Sequence, residues 1–309
     1  MDAIRVTCSF VGISGLVGFS WSATLIGAPC VSKDIKNILR DWDYDPDGLS
    51  VRIITGDDGR DKIQLRIDMG LLQMEFNARP DGRQIHGHET WLKKFEHQQK
   101  EQTQANPDGT PFELSTEDCD LLLSEGVQFY HRYLSFWHLE LFDLCARDTL
   151  RNLRLFSFVR KYAKNKADKL RFDQWRPYVL MMHARSLSAP LVRSEDYTGA
   201  LQAIDSGIAA INSFLEEYDH SSKADHLPEL LELRGIRAEV IRLLEHGSPD
   251  SLQAKLYRLG KELEEAVAEE RFENAAQLRD ELELLQAESA NQEGAKQKSK
   301  NQKETSTEE

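Results

Sequence analysis

The chain is poor in the residues that staple, anchor or ligate. It has four cysteines in 309 residues, none closer than 22 positions to the next. That spacing gives no CxxC pair and no zinc pattern, so the thiols read as reduced and mostly buried, and the chain as cytoplasmic. No run of about 20 apolar residues occurs, and the mean hydropathy is −0.53. Together these argue against a membrane-embedded protein. Positive charge is also short: 39 Lys and Arg stand against 52 Asp and Glu, a net charge of −13. An acidic surface repels phosphate backbones, so direct nucleic-acid binding is not expected. Catalytic signatures are missing as well. Gly56-Asp57-Asp58-Gly59 lacks the Lys-Ser/Thr ending of a phosphate loop and reads as a hairpin turn. His86, His88, Glu89 and His97 do not have the HExxH spacing and read as solvated residues ahead of a helix. A non-enzymatic protein with no cofactor and no metal is therefore expected.

What is present falls into an α+β, mainly α, organisation. Residues 6–31 carry no charge and are interrupted by Gly and Ser, without the basic, apolar and small-x-small regions of a signal peptide. Residues 1–32 are accordingly expected to be a disordered or mis-assigned N-terminal segment. Residues 33–100 read as a small antiparallel β-meander. Lys33–Trp42 has a short amphipathic helical pattern, with Ile35, Ile38 and Leu39 on one face. Strand-like runs follow at Leu49–Thr55, Lys62–Asp68 and Leu71–Asn77. Alternation places Ile63, Leu65 and Ile67 inward and Gln64, Arg66 and Asp68 outward. Three strands alone are marginal, and the segment Glu89–Gln99, with Trp91, Leu92 and Phe95, is the expected cover. Residues 101–114 read as a linker.

Residues 115–247 read as helices only. Ser115 with Asp118 opens the first as a capping box. Helices are expected over Asp118–Phe136, Phe142–Lys164, Lys169–Pro190, Tyr197–Glu217 and Pro228–Leu244. The aromatic stripe Phe129, Tyr130, Tyr133, Phe136 and Trp137 reads as core packing. The basic stretch from Lys161 to Arg171 reads as a charged interhelical turn, with nucleic-acid contact as the competing reading. Glu195-Asp196-Tyr197-Thr198-Gly199-Ala200 leads into Ile204, Gly207 and Ile208 and resembles the second-helix start of a tetratricopeptide repeat. Glu140-Leu141-Phe142 leads to Cys145 in the same spacing, 55 residues earlier. The region is thus read as a tetratricopeptide-like array of α-hairpins, with longer helices than the 34-residue consensus.

Residues 248–289 carry the most specific pattern. Gly247, Ser248 and Pro249 supply a stop and a start. Leu252, Leu256, Leu259, Leu263, Ala266 and Val267 recur at steps of three and four. After Arg271 a second helix carries Ala275, Ala276, Leu278, Arg279, Leu282 and Leu285. Phe272-Glu273-Asn274-Ala275-Ala276-Gln277-Leu278-Arg279-Asp280 resembles the core of the UVR domain (the UvrB/UvrC motif), F-E-x-A-A-x-L-R-D. The family often has Met where Leu263 stands and an apolar residue where Glu270 stands. The resemblance implies a helical hairpin that pairs with another such hairpin, as between the B and C subunits of the bacterial excision-repair nuclease. It also implies links to nucleotide excision repair, or to regulators of Clp-type proteases and of protein arginine phosphorylation. The expected role is that of a protein-interaction adaptor, binding a partner with a UVR-type hairpin or a second copy of itself. The expected interaction residues are Leu256, Leu259, Leu263, Val267, Phe272, Glu273, Ala275, Ala276, Leu278, Arg279, Asp280, Leu282 and Leu285. Phe272, Leu263 and Leu282 are the expected apolar anchors, and Arg279 with Asp280 the expected register-setting pair. Residues 251–289 hold five basic against ten acidic side chains, a net charge of −5, which favours a protein partner over DNA. Residues 290–309 are expected to form a disordered tail.

Overall fold

The computed structural model describes residues 34–107, 109–246 and 252–286. The expectations for segments 1–32 and 290–309 lie outside the described residues. The chain divides into two units, residues 1–43 and 44–309. In the first, the helix expected over Lys33–Trp42 is a single turn, α1 (Lys36–Leu39), with Ile35 and Ile38 exposed. A lone turn without a buried face gains too little to offset the cost of helix nucleation.

The second unit opens with a three-stranded antiparallel sheet in sequence order, β1 (Val51–Thr55), β2 (Asp61–Ile67) and β3 (Gly70–Glu75). The Gly56–Gly59 segment is a hairpin turn, with Gly59 at φ 71° and its N–H donating to the Gly56 carbonyl at 2.9 Å. Ile63 and Leu65 are buried as their alternation requires, whereas Ile67, at the strand end, is exposed. Of the residues expected outward, Asp68 is exposed, whereas Arg66 is half-buried and Gln64 buried, because β2 is central. Gln64 is buried in a polar ladder, accepting from Arg52 Nε and donating to Gln73 Oε1, each at 2.9 Å. Lys62 is buried between the carboxylates of Asp58 and Glu75. Such cross-strand polar pairs stabilise a sheet face without apolar cover.

The expected cover helix is α2 (Trp91–Ala105), which runs into the segment read as a linker. Its Leu92 and Phe95 pack with Leu114, Cys119, Leu122 and Leu155, not with the sheet. The sheet's apolar face is instead covered by α3 (Thr116–His138): Ile63, Leu65 and Met74 share a core with Tyr133 and Phe136, and Phe76 meets the Phe136 ring at 5.6 Å. The remainder of the linker is pinned as well. Leu114 is fully buried, its N–H donating to the Tyr162 carbonyl and its own carbonyl accepting from Lys164 N–H.

The Ser115–Asp118 capping box forms at the start of α3. There follow α4 (Phe142–Tyr162), α5 (Lys166–Asp173), α6 (Arg176–Arg193), α7 (Tyr197–Glu217), a 3-10 segment (Ser221–His226), α8 (Pro228–His246) and α9 (Leu252–Ala268). A further helix, α10, spans 272–286. The single helix expected over Lys169–Pro190 is two. Pro177, with no N–H to donate, opens α6, and the buried Asp173 closes α5 by accepting from Arg176 Nε at 2.8 Å. Phe129, Tyr133 and Phe136 of the aromatic stripe are buried, as core packing requires. Helices α6 and α7 approach closely at Gly207, where an added Cβ would lie 2.5 Å from the Ala184 Cβ.

One side chain joins sheet to helices. Arg132 of α3 is buried and donates through Nε and Nη2 to Asp148 of α4 at 2.6 and 3.0 Å. Its Nη1 donates to the carbonyls of Glu75 and Ala78, each at 2.9 Å, where the chain leaves β3. Ala78 sits at φ 55°, a conformation an alanine adopts only under constraint. Glu125, fully buried one helical stretch earlier, accepts from the free N–H groups of Trp91 and Leu92 at the start of α2 and from Arg151. It satisfies that helix end from outside.

Removing one partner of a buried pair leaves an uncompensated charge. Arg132→Met or Asp148→Asn alone is expected to cost about 3 to 5 kcal/mol in urea denaturation, and the double change less than the sum. Burial also holds the His131 and His183 imidazoles below their ordinary value. The unfolded chain therefore takes up these protons first as pH falls. Stability should be full above the unfolded imidazole pKa of about 6.5 and decline below it. Urea midpoints between pH 7.5 and 5.5 should show this decline, and His183→Gln should flatten it.

Candidate functional site

Helix α9 ends in a paired-hydrogen-bond turn: Arg271 N–H donates to the Ala266 carbonyl at 2.8 Å and Glu270 N–H to the Val267 carbonyl at 3.1 Å. Glu270 occupies the left-handed conformation at φ 57°. This is a Schellman ending, here built without glycine. Helix α10 then starts with Ala275 N–H donating to the Arg271 carbonyl at 2.9 Å. The chain reverses, and the two helices close on a seam of Ala266, Ala275 and Leu278, all buried, with Leu259 and Leu263 packed against it. Gly260 faces Leu282 across the seam, where an added Cβ would meet Leu282 Cδ1 at an ordinary contact distance of 3.8 Å.

The thirteen expected interaction residues divide between this seam and its surroundings. Leu259, Leu263, Ala275 and Leu278 are in the seam, so Leu263 closes the hairpin rather than offering an anchor. Leu256, Leu282 and Leu285 are half-buried. Val267 and Phe272 face outward with 52% and 68% of their surface exposed, and Ala276, one turn beyond Phe272, is exposed as well. Glu273, Arg279 and Asp280 are exposed. Arg279 donates to the adjacent Asp280 at 2.8 and 3.2 Å, and that carboxylate raises the guanidinium's pKa. The pair is thus formed within one helix. Leu284, 66% exposed, is a further outward apolar side chain that the apolar repeat does not mark, because it lies off the repeating face. Arg271, Phe272, Glu273, Asn274 and Gln277 line a shallow surface depression at the start of α10. Tyr257 of α9 packs against the main helical core, so the hairpin is tethered through its first helix.

The other sequence-level candidates resolve differently. Ile85 and His88 flank a two-residue reversal formed by His86, at φ 49°, and Gly87, at φ 82°. The His86 ring stands against Trp91, the His88 ring against His97, and His97 pairs with Glu101. Among the described residues no three His, Cys, Asp or Glu side chains come together in a metal-binding group. In the basic stretch, Arg171 is held by Asp120 and Asp168, and Lys161 lies over the Tyr162 ring. No helix among the described residues is long and apolar enough to cross a membrane.

Comparison with known families finds the UvrB/uvrC motif at residues 254–288, which are the helices α9 and α10. No curated protein and no solved structure matches the chain.

The seam holds three buried side chains, against a main core many times larger. The hairpin should therefore open more readily than the body. In hydrogen exchange, backbone amides of residues 255–286 are expected to exchange at least tenfold faster than those in the middle of α3 and α4; equal protection would contradict this reading.

Proposed function

We propose that this protein is a non-enzymatic adaptor, present in the cytoplasm, that captures a protein partner through its C-terminal UVR-type hairpin. The observation that carries the reading is the outward Phe272, with Val267 and Ala276 exposed as well, on a motif whose own seam is already closed. A large ring left in water on a two-helix unit is the hallmark of a surface that finds its cover elsewhere. The sheet, α2 and the helices from α3 to α8 act as the scaffold that carries it. The buried unpaired thiols of Cys119 and Cys145, whose pKa values burial pushes up to about 12, fit a reducing compartment and take no part in chemistry. The ion pairs that occupy Arg171 favour a protein partner over nucleic acid.

The test is affinity capture from cell lysate with the full chain, wild type beside Phe272→Asp, read by mass spectrometry. Phe272→Asp should lose the partner while far-ultraviolet circular dichroism stays that of the wild type, because the ring supports no core. Recovery of an excision-repair subunit or of a Clp-type component by wild type alone would assign the pathway. Equal recovery by both proteins would overturn the adaptor reading.

A further inference from the structure

The turn that joins α9 to α10 occurs three times in this chain. Glu140-Leu141-Phe142 with Cys145, Glu195-Asp196-Tyr197 with Ala200, and Glu270-Arg271-Phe272 with Ala275 share one pattern: Glu, any residue, an aromatic, then a small residue three further on. The backbone repeats with it. The three glutamates take φ 59°, 62° and 57°, and each follows a helix closed by the same pair of hydrogen bonds. Cys145, Ala200 and Ala275 are all buried where the returning helix crosses. The first copy therefore serves as an internal template for the third.

In the first copy the glutamate and the aromatic ring together hold an arginine. Arg193, in the last turn of α6, donates through both Nη1 and Nη2 to the two carboxylate oxygens of Glu140, with the Nη1 contact at 2.8 Å. Its guanidinium carbon lies 4.9 Å from the centre of the Phe142 ring. The arginine holds the Glu140 carboxyl below its ordinary value. A bidentate carboxylate and an aromatic face together fit a planar guanidinium far better than an ammonium. The second copy is closed differently: Tyr197 is half-buried and packs against the main core. In the third copy Phe272 is mostly exposed, Arg271 is turned to Glu269 at 2.7 Å, and no arginine among the described residues stands over the ring or pairs with Glu270.

We infer that Glu270 and Phe272 form a socket for an arginine presented near the end of a partner protein's helix, as Arg193 is presented to Glu140 and Phe142. The inference rests on the adaptor reading and names the partner's chemistry. Charge selects the same occupant: the hairpin region carries −5 and the whole chain −13, so a basic helix is attracted and a second acidic copy repelled.

The probe is a synthetic peptide copying residues 176–196, which carries Arg193 on its native segment, beside the same peptide with Arg193→Gln. Binding of each labelled peptide to the full chain is read by fluorescence anisotropy, with wild type, Glu270→Gln and Phe272→Ala as receptors. The native peptide should bind wild type. Arg193→Gln, Glu270→Gln and Phe272→Ala should each weaken binding about five- to tenfold, and Arg193→Gln should add no further loss on Glu270→Gln. Equal binding of the two peptides to wild type, or binding of neither, overturns the socket. Sedimentation velocity of the free chain covers the other occupant: a dimer dispersed by Glu270→Gln would put a second copy in the socket and overturn the heterologous partner. The outcomes separate the two readings. Loss of lysate capture by Phe272→Asp with no peptide discrimination removes the socket and keeps the adaptor; unchanged lysate capture removes the adaptor.

Discussion

The guanidinium of Arg132 is the joint on which the body of the protein depends. It stands with almost no access to water, near the Phe129 and Phe136 rings, and all three of its nitrogens donate. Asp148 fixes it to α4, and the carbonyls at the end of β3 fix it to the sheet. Arg147 adds a second tie to the same strand end, donating to the Phe76 carbonyl and to Asn77. A buried charge of this kind is weak evidence for added stability, since well-packed apolar residues often do as well. What it supplies is geometry: five donors in one plane define where a sheet, a loop and two helices meet. Glu125 does the same for α2 by closing its first turn.

Much of this architecture is legible in the sequence where the pattern is local. The strands, the Ser115 capping box, the hairpin reversals at Glu140 and Glu195 and the C-terminal helix pair follow from alternation, spacing and turn chemistry. The partners of those elements are less legible. Leu92 and Phe95 have the right spacing to cover a sheet, yet nothing local says that they pack on Leu114 and Leu122 while Phe136 covers the strands. The burial of Gln64 and Lys62 is hidden for the same reason, because alternation reports polarity and the ladder of cross-strand partners arises only in the assembled sheet. Arg132 looks like any solvated helix cation until Asp148, 16 residues on, is brought against it from α4.

The C-terminal hairpin shows the same division. Its seam was readable from heptad-like spacing, and its family resemblance from nine consecutive residues. Which leucines are spent on closing it was not: Leu263 lies in the seam and Leu284 outside it. The spacing shared by the Glu140 and Glu195 turns is legible, but their left-handed backbone and the third copy at Glu270 are not, since a glutamate at positive φ has no compositional mark of the kind glycine leaves. The shared hydrogen-bond pair and left-handed glutamate show the three turns to be one device. Used twice inside the body, it stacks hairpin on hairpin; used a third time, it leaves an aromatic ring in the open.

The Arg132 joint also sets an order of assembly on the ribosome. The strands are made first, and three strands alone are marginal. Their clamp lies 57 positions beyond Glu75, and Asp148, which holds the clamp, lies further still. At about 5 to 20 residues per second the nascent sheet waits about 3 to 12 s for Arg132 to be synthesised. During that interval Ile63, Leu65 and Met74 lack the cover that α3 later gives them.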